Sequence, residues 1–270
     1  MARTLRIALG IEYDGSAFTG WQVQPHGRSV QASVEQALAK VADHPVRVVA
    51  AGRTDRGVHA LAQVVHFDSD AVRRPRAWVL GANSGLPAEV GILWAREVPD
   101  DFHARFSALE RSYSYLILNR SVRSALLRDR AAWELKLLDE ARMQAAARLL
   151  LGEHDFSSFR AAGCQAGTPV RQLRVLNVSR HDELVQIDVT ANAFLQHMVR
   201  NLVGALMRVG AGEAPPQWVE SLLGRRDRRF GAPTAPAAGL YLRDVRYPAA
   251  FDLPRQDFRA WPPLPPARSR

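Results

Sequence analysis

Two kinds of hydrophobic pattern alternate along the first hundred residues. Apolar side chains recur at every second position from Leu5, and this period of two indicates a strand with one buried face over residues 5–13. Ser29 precedes apolar residues at helical spacing that continue to about Ala42, so it is the expected N-cap of a helix. Three more strands are predicted at 46–51, 63–67 and 91–98, and a second helix is predicted at 76–83. The predicted order is β-α-β-β-α-β.

The second half of the chain repeats this order. Its patterns predict a strand, a helix, a hairpin of two strands, a long helix and a final strand, at residues 112–119, 139–151, 171–179, 184–190, 194–209 and 239–247. A short extra helix at 215–223 begins with prolines, which the first turn of a helix tolerates. The repeat indicates two units of one topology.

This repeated order predicts an α/β (α+β) protein of two tandem ferredoxin-like units, a topology shared with RNA-recognition domains. Each unit is expected to have a four-stranded antiparallel sheet with helices on one face, and the two sheets are expected to flank a basic cleft. The aromatic signature of RNA-recognition domains is missing from both copies, so base stacking on the sheet is not indicated. The predicted domains are 1–108 and 109–248, and the proline- and arginine-rich tail 249–270 is expected to be extended or disordered.

Composition narrows the class of protein. The chain has 270 residues, of which 47% are hydrophobic and 23% charged, which excludes wholesale disorder and a collagen-like fibre. Its one cysteine, Cys164, cannot form an internal disulfide or a cysteine-rich zinc site. No apolar run approaches the roughly 20 residues that span a bilayer, and the first residues do not resemble a signal peptide. We therefore expect a cytoplasmic enzyme or binding protein with no membrane partner.

The charge balance indicates the partner. The formal net charge is +9, and the 36 basic residues include only two lysines, Lys40 and Lys136. A surface of this sign attracts the phosphates of nucleic acid, and arginine both pairs with phosphate and stacks on bases. A GC-rich coding sequence could explain the scarcity of lysine, but it does not explain the excess over acidic residues. A nucleic acid is therefore the expected partner.

The segment from Ala50 to Ala60 is the most informative one in the chain. It follows a predicted buried strand, and Gly52 and Gly57 are expected to allow a tight turn with positive φ. Asp55 lies between Arg53 and Arg56, and positive neighbours favour the ionised form of a carboxylate. Such an aspartate can act as a nucleophile or base. On spacing alone, a plain turn in which the aspartate accepts backbone N–H bonds is an open alternative.

The residues of this segment, GRTDRGVHA at 52–60, resemble the signature GRTDxGVHA of the tRNA pseudouridine synthase A family. Eight further segments resemble the motifs of that family: 11–15, 20–22, 29–31, 101–108, 111–115, 154–159, 192–201 and 239–242. The resemblance covers about residues 5–253 without a large gap.

The resemblance implies an isomerase that converts uridine to pseudouridine at positions 38, 39 and 40 of the tRNA anticodon stem-loop. The reaction breaks the N1–C1′ bond and joins C5 to C1′, with no redox step or phosphoryl transfer, so the resemblance implies neither cofactor nor metal. No nucleotide-binding glycine motif or clustered His/Cys site occurs in the sequence. The family also implies a homodimer with tRNA as its substrate.

The resemblance assigns roles to three residues near the reacting base. Asp55 corresponds to the catalytic aspartate. Arg53 corresponds to the residue that holds the duplex open and contacts phosphate, because a base within a stem must leave the stack to react. Tyr113 corresponds to the active-site tyrosine that stacks on the target base. The alternatives are an ion pair between Arg53 and Asp55 and a core-filling role for Tyr113.

Three more arginines are carried over from the family. Arg200 corresponds to the arginine that pairs with the catalytic aspartate, and on the predicted helix it would share a face with His197 and Asn201. Arg73 and Arg105 correspond to tRNA contacts, for which a solvated arginine is the alternative. A basic contact of the family is expected near position 121, where this chain has serine. Arg120 or Arg123 is the candidate replacement.

Two other classes of function are alternatives to an isomerase. A binding-only RNA module or RNA chaperone on the same scaffold would have no need for the combination of Asp55, Tyr113 and Arg200. A metal-dependent nuclease using Asp55 with His59 and His66 is disfavoured because the sequence has no carboxylate cluster. His59 is interpreted as a residue that packs the loop.

Overall fold

The computed structural model describes residues 4–255, which pack into two units. Among the described residues, the first unit contains 4–109 and 241–255, and the second contains Glu110–Leu240. The boundary near residue 109 lies one residue from the one predicted. The last strand was predicted to belong to the second domain, whereas its residues from Tyr241 pack with the first unit.

The first unit has the predicted order of elements. These are β1 (Leu5–Tyr13), α1 (Val30–Ala42), β2 (Val49–Ala50), β3 (His59–Ser69), α2 (Pro75–Asn83) and β4 (Val90–Val98). Ser29 caps α1 as predicted, since its hydroxyl accepts a hydrogen bond from the N–H of Ala32 at 3.2 Å. β2 is shorter than predicted because the N–H of Val48 donates to the Glu35 carboxylate instead of to a strand.

The second unit contains more elements than predicted. They are β5 (Glu110–Asn119), β6 (Ala132–Glu134), α3 (Glu140–Arg148), β7 (Gly152–Asp155), β8 (Val170–His181), β9 (Leu184–Ala191), α4 (Met198–Gly210) and α5 (Trp218–Arg225). The hydrophobic pattern missed β6 and β7 because one has three residues and the other, Gly-Glu-His-Asp, has no apolar alternation. β9 pairs antiparallel with both β5 and β8, and β7 continues the sheet beyond β8.

The sheet of the first unit differs from the predicted one at its last strand. β1 lies between β4 and β3, and β2 pairs with the far edge of β3, all antiparallel as predicted. The final strand of the chain, β10 (Leu240–Arg246), pairs in parallel with β3 at His59 and Ala60. The prediction of purely antiparallel sheets is therefore wrong here. β2 pairs with β3 over two residues only, and β10 pairs with the first residues of β3 along the same edge.

The tail was predicted to be extended or disordered, which is wrong for its first residues. Residues 249–251 form a helical turn, and the Phe251 ring lies 5.1 Å from that of Phe102, which is fully buried. Asp252 forms an ion pair with Arg96. Aromatic contacts of this kind hold a short terminal segment in place. The rest of the predicted tail, 256–270, lies outside the described residues. Within residues 4–255, no helix has the length and apolar character needed to cross a membrane.

Candidate active site

The segment that carries Asp55 leaves the sheet at a defined point. Residues 51–58 connect β2 to β3. β2 pairs with β3 at Val65 and His66, whereas β10 pairs with the same edge at His59 and Ala60. Because β10 occupies the part of the edge along which β2 would continue, the connecting segment projects out of the sheet. We call residues 51–58 the aspartate loop.

Two glycines set the path of the aspartate loop, and only one of them was predicted. Gly57 has φ +77°, which confirms the expected left-handed turn. The same expectation is wrong for Gly52, which has no positive φ. Gly20 instead has φ +117°, and a Cβ atom there would lie 2.8 Å from the carbonyl oxygen of Thr54. The loop therefore rests directly on the backbone at Gly20.

Buried hydrogen bonds hold the residues that precede Asp55. The Gln63 side chain is fully buried, and its Nε2 donates to the carbonyl oxygen of Gly52 at 2.7 Å. The Tyr13 and Thr54 hydroxyls lie 2.8 Å apart, and both side chains are buried. The N–H of Trp21 donates to the Thr54 carbonyl at 3.0 Å. These contacts leave the backbone at Thr54 little freedom.

Asp55 itself is partly exposed, between two exposed arginines. Its carbonyl oxygen accepts a hydrogen bond from the N–H of Val58 at 3.2 Å, which closes the turn after it. Arg53 forms no ion pair or hydrogen bond within the part of the chain that the structure describes. The alternative of an Arg53–Asp55 ion pair is thus not realised. The site therefore presents a carboxylate on a fixed backbone beside a solvent-accessible guanidinium.

Tyr113 lies in β5 with 9% of its surface exposed. Its ring meets that of Phe194 edge to face at 5.1 Å. The neighbouring tyrosine, Tyr115, is fully buried, and its hydroxyl donates to the Pro236 carbonyl at 2.7 Å. Burial raises the pKa of Tyr115 above its ordinary value, and the positive charge of Arg200 opposes that rise. Tyr115 is therefore a structural phenol, and Tyr113 is the more accessible of the pair.

Arg200 lies in the first turn of α4, which begins four residues later than predicted. Its Nε donates to the carbonyl of Ala235 at 2.8 Å, so the side chain is held by a segment distant in sequence. His197 is the N-cap residue, with φ +62°, and is not part of the helix. Asn201 is buried, and its amide donates to the carbonyl of Phe159 at 2.7 Å. The predicted shared face of these polar residues is therefore wrong, because Asn201 serves local packing.

The other carried-over arginines are exposed. Arg73 donates from Nε to the carbonyl of Val41 at the end of α1, at 3.2 Å, where a positive charge is favourable. The Arg105 guanidinium lies 5.5 Å from the ring of Phe106. Of the two replacements considered near position 121, Arg120 pairs with Glu183 at 2.9 Å, whereas Arg123 is exposed. Arg123 is therefore the more available cation for a phosphate.

Two histidines that could have suggested a metal site have other partners. Nδ1 of His59 accepts the N–H of Gly15 at 3.1 Å, and its ring stacks on Tyr241 at 4.6 Å. Nδ1 of His66 accepts the N–H of Ala104 at 3.1 Å, and burial lowers its pKa to about 4. Among residues 4–255, no three His, Cys, Asp or Glu side chains are grouped to hold a metal ion.

Comparison with known proteins decides the family. The family model described as tRNA pseudouridine synthase matches residues 10–107 and 146–248. tRNA pseudouridine synthase A of Coxiella burnetii (strain Dugway 5J108-111) is 56% identical over 250 residues, covering 93% of this chain and 96% of that protein. The proteins of the same name from Nitrosococcus oceani and Enterobacter sp. (strain 638) are 55% and 52% identical over 251 and 261 residues. They cover 93% and 97% of this chain, and 97% and 94% of their own lengths.

The chain belongs to the tRNA pseudouridine synthase family.

The matched segments of this pseudouridine synthase contain most of the predicted site residues. Five of the six lie inside them: Arg53, Asp55, Arg73, Arg105 and Arg200. Tyr113 lies in the part of the chain between the two matched segments.

The supporting residues of the synthase's aspartate loop, namely Tyr13, Gly20 and Gln63, were not predicted from the sequence. Gln63 could have been found, because a glutamine within an otherwise apolar predicted strand implies a buried polar group that needs partners. No local pattern indicates that Gly20 lies against Thr54, since the two residues are far apart in sequence.

Proposed function

We propose that this protein is an isomerase that converts uridine to pseudouridine in tRNA, at positions 38, 39 and 40 of the anticodon stem-loop. The observation that carries the proposal is Asp55, a partly exposed carboxylate on a loop of fixed backbone, within the family signature at 52–60. Relatives named tRNA pseudouridine synthase A are 52–56% identical over more than nine-tenths of the chain. The +9 charge suits a polyanionic substrate.

In the proposed reaction, Asp55 acts as an ionised carboxylate against the nucleotide extruded from its helix. The N1–C1′ bond breaks and a C5–C1′ bond forms, C5 loses its proton, and N1 gains one. Atoms and electrons balance without a cofactor or metal. Tyr113 stacks on the extruded base in this proposal, and Arg200 is the partner of the catalytic aspartate. Arg73 and Arg105 contact tRNA phosphates.

The proposal includes ferredoxin-like topology in both units. Among β1 to β4, the antiparallel order β4-β1-β3-β2 is the order of that topology, and β5-β9-β8 has the corresponding first-third-second order. We also retain the division into domains near residues 108–109, a homodimeric assembly and a cytoplasmic location as parts of the proposal.

The function is tested by incubating the protein with unmodified tRNA transcripts and mapping pseudouridine at each position. We expect pseudouridine at those of positions 38–40 that hold uridine. Transcripts with cytidine at these positions are the matched controls and should stay unmodified there. Tight tRNA binding without any pseudouridine would favour the RNA-binding or chaperone alternative. Pseudouridine elsewhere in the tRNA would contradict the proposed target.

The Arg53→Ala substitution tests the base-flipping part of the proposal. Extrusion of a paired base costs a few kcal/mol, so loss of the residue that compensates for it should slow single-turnover isomerisation by about 10–100-fold. The tRNA dissociation constant should rise only about threefold, since one phosphate contact among many is lost. Arg56→Ala is the control, because Arg56 is also exposed and lies on the other side of Asp55 in the sequence. Equal losses of rate and affinity in Arg53→Ala would argue against a flipping role.

A further inference from the structure

We propose that the buried side chains of Gln63, Tyr13 and Thr54 form a positioning network that sets where the aspartate loop stands relative to β3, and thereby where the Asp55 carboxylate lies during the reaction. The three residues do not touch the substrate in this proposal. The inference rests on the proposed catalytic role of Asp55 and adds the residues on which that role depends.

The register of β2 and β3 shows what Gln63 does. Val49 pairs with His66 and Ala50 with Val65, and the N–H of Ala51 donates to the Val64 carbonyl at 2.8 Å. Because Ala51 and Val64 form a hydrogen-bonded pair, the next residues in this antiparallel register, Gly52 and Gln63, would face each other without a backbone bond. The Gln63 side-chain amide supplies the contact at this position. Its Nε2 donates to the Gly52 carbonyl at 2.7 Å, and its Oε1 accepts the Gly52 N–H at a longer 3.4 Å.

A side-chain amide carries the same donor and acceptor as a peptide group. Gln63 therefore binds both the N–H and the carbonyl of Gly52 through its side chain, at a position where the ladder has no backbone bond, and it keeps Gly52 one side-chain length away from β3. The pair of contacts also fixes the orientation of the amide, because a flipped amide would place Oε1 against the Gly52 carbonyl oxygen. This contact lies at the start of the aspartate loop, three residues before Asp55.

Tyr13 carries the constraint onward to the residue that precedes Asp55. Its hydroxyl lies 3.5 Å from Nε2 of Gln63 and 2.8 Å from the hydroxyl of Thr54. The exposed fractions of Gln63, Tyr13 and Thr54 are 0%, 4% and 8%, so water does not compete for these bonds. Because Thr54 adjoins Asp55 in the chain, a shift of the Thr54 backbone would carry the Asp55 carboxylate with it.

The network acts on the chemical step rather than on tRNA binding. A displacement of about 1 Å at a reacting group can cost about 100-fold in rate. The exposed arginines proposed to contact tRNA are not members of the network, so affinity should be preserved when the network is broken. A purely structural role would instead lower thermal stability and leave the rate of the folded enzyme unchanged.

The test uses variants that keep side-chain volume but lose hydrogen bonds: Gln63→Met, Tyr13→Phe and Thr54→Val. Single-turnover rate, tRNA dissociation constant and melting temperature are measured for each in the full-length protein. We expect Gln63→Met and Thr54→Val to be slower by about 10–100-fold, with the dissociation constant within about threefold of wild type. Thr54→Ser keeps the hydroxyl and should restore most of the rate. The double variant Tyr13→Phe/Thr54→Val should lose much less rate than the product of the two single-variant losses, since both substitutions remove the same bond.

Asn83 provides a matched control. Its side-chain amide makes the same two-way contact with a backbone, donating to the carbonyl of Ile92 at 2.8 Å and accepting its N–H at 2.9 Å, outside the aspartate loop. Asn83→Leu should lower the melting temperature and leave the single-turnover rate of the folded protein unchanged. If Asn83→Leu slows that rate as much as Gln63→Met does, the effect is one of stability and the proposal is wrong.

The outcomes separate this inference from the proposed function. If folded Gln63→Met and Thr54→Val react at the wild-type rate while Asp55→Asn is inactive, the positioning network is refuted and the catalytic role of Asp55 stands. If Asp55→Asn retains turnover, the proposed function of that residue fails whatever the network variants do. If Gln63→Met does not fold, Tyr13→Phe and the Thr54→Ser and Thr54→Val pair decide the question, because each removes or keeps a single hydroxyl.

Discussion

Replacement of Asp55 by asparagine is expected to abolish uridine isomerisation while the affinity for tRNA stays within a few fold of wild type. Asparagine has nearly the same shape, but its neutral amide can neither add to carbon nor accept a proton as a carboxylate does. The loss should reach at least about 10⁴-fold, the upper end of what one acid–base group contributes. The backbone contacts of Thr54 and Asp55 with Trp21 and Val58 involve no carboxylate oxygen, so the loop should keep its path.

The measurement is single-turnover formation of pseudouridine in a tRNA transcript, together with the dissociation constant and the melting temperature of the variant. Asp43→Asn is the control, since Asp43 is exposed and has φ +61°, a conformation that asparagine adopts readily. This control should retain full activity. Turnover by Asp55→Asn above about one part in a hundred of wild type would exclude a mechanism that needs the carboxylate.

The second large effect is expected from Gly20→Ala. A Cβ atom at this position would lie 2.8 Å from the Thr54 carbonyl oxygen and 3.2 Å from the Arg56 nitrogen, both of which are backbone atoms. The φ of +117° is also unfavourable for any residue with a side chain. We expect the free energy of unfolding to fall by about 1–3 kcal/mol. We also expect isomerisation to slow by at least about tenfold, because the loop must move to make room.

Gly212→Ala separates the effect of the steric contact from the effect of the positive φ. Gly212 also has a positive φ, +77°, but a Cβ atom there would meet no atom within 4 Å. This variant should show the cost of backbone strain alone, about 1 kcal/mol, and unchanged activity. Urea unfolding and single-turnover rates of both variants are the measurements. Wild-type rate and stability in Gly20→Ala would show that the aspartate loop does not rest on Gly20.

The hydrophobic pattern predicted elements best where a local period coincides with burial. α1 is a clear case, because its apolar spacing and the Ser29 cap both lie within the helix and its first turn. The start of α4 was misplaced because apolar residues continue before the helix, whereas the chain turns at His197 with φ +62°. Burial alone therefore does not define where a helix begins. The short polar strand β7 offered no period at all.

The candidate site was predicted only in part, because local patterns show neighbouring residues but not contacts between distant ones. The chemical residue, Asp55, lies in a contiguous signature that can be recognised in one dimension. Its support could not be recognised in this way, because Tyr13 and Thr54 are 41 residues apart and the Gln63 amide acts on Gly52 across a turn. Asn201 shows the converse, since the predicted helix placed it on one face with Arg200, whereas its contacts with Phe159 and Thr234 are structural.

The amino-acid sequence by itself determined the order of the elements in the first unit, the loop that carries Asp55, the basic character of the surface and the family resemblance. These properties depend on neighbouring residues or on composition. The tertiary structure alone decided that β10 joins β3 in the first unit and that the Gln63 side chain binds Gly52, next to the last backbone bond of β2 at Ala51. Strand partners and buried side-chain bonds join segments distant in the chain, and their choice depends on which edges and polar groups folding leaves unsatisfied.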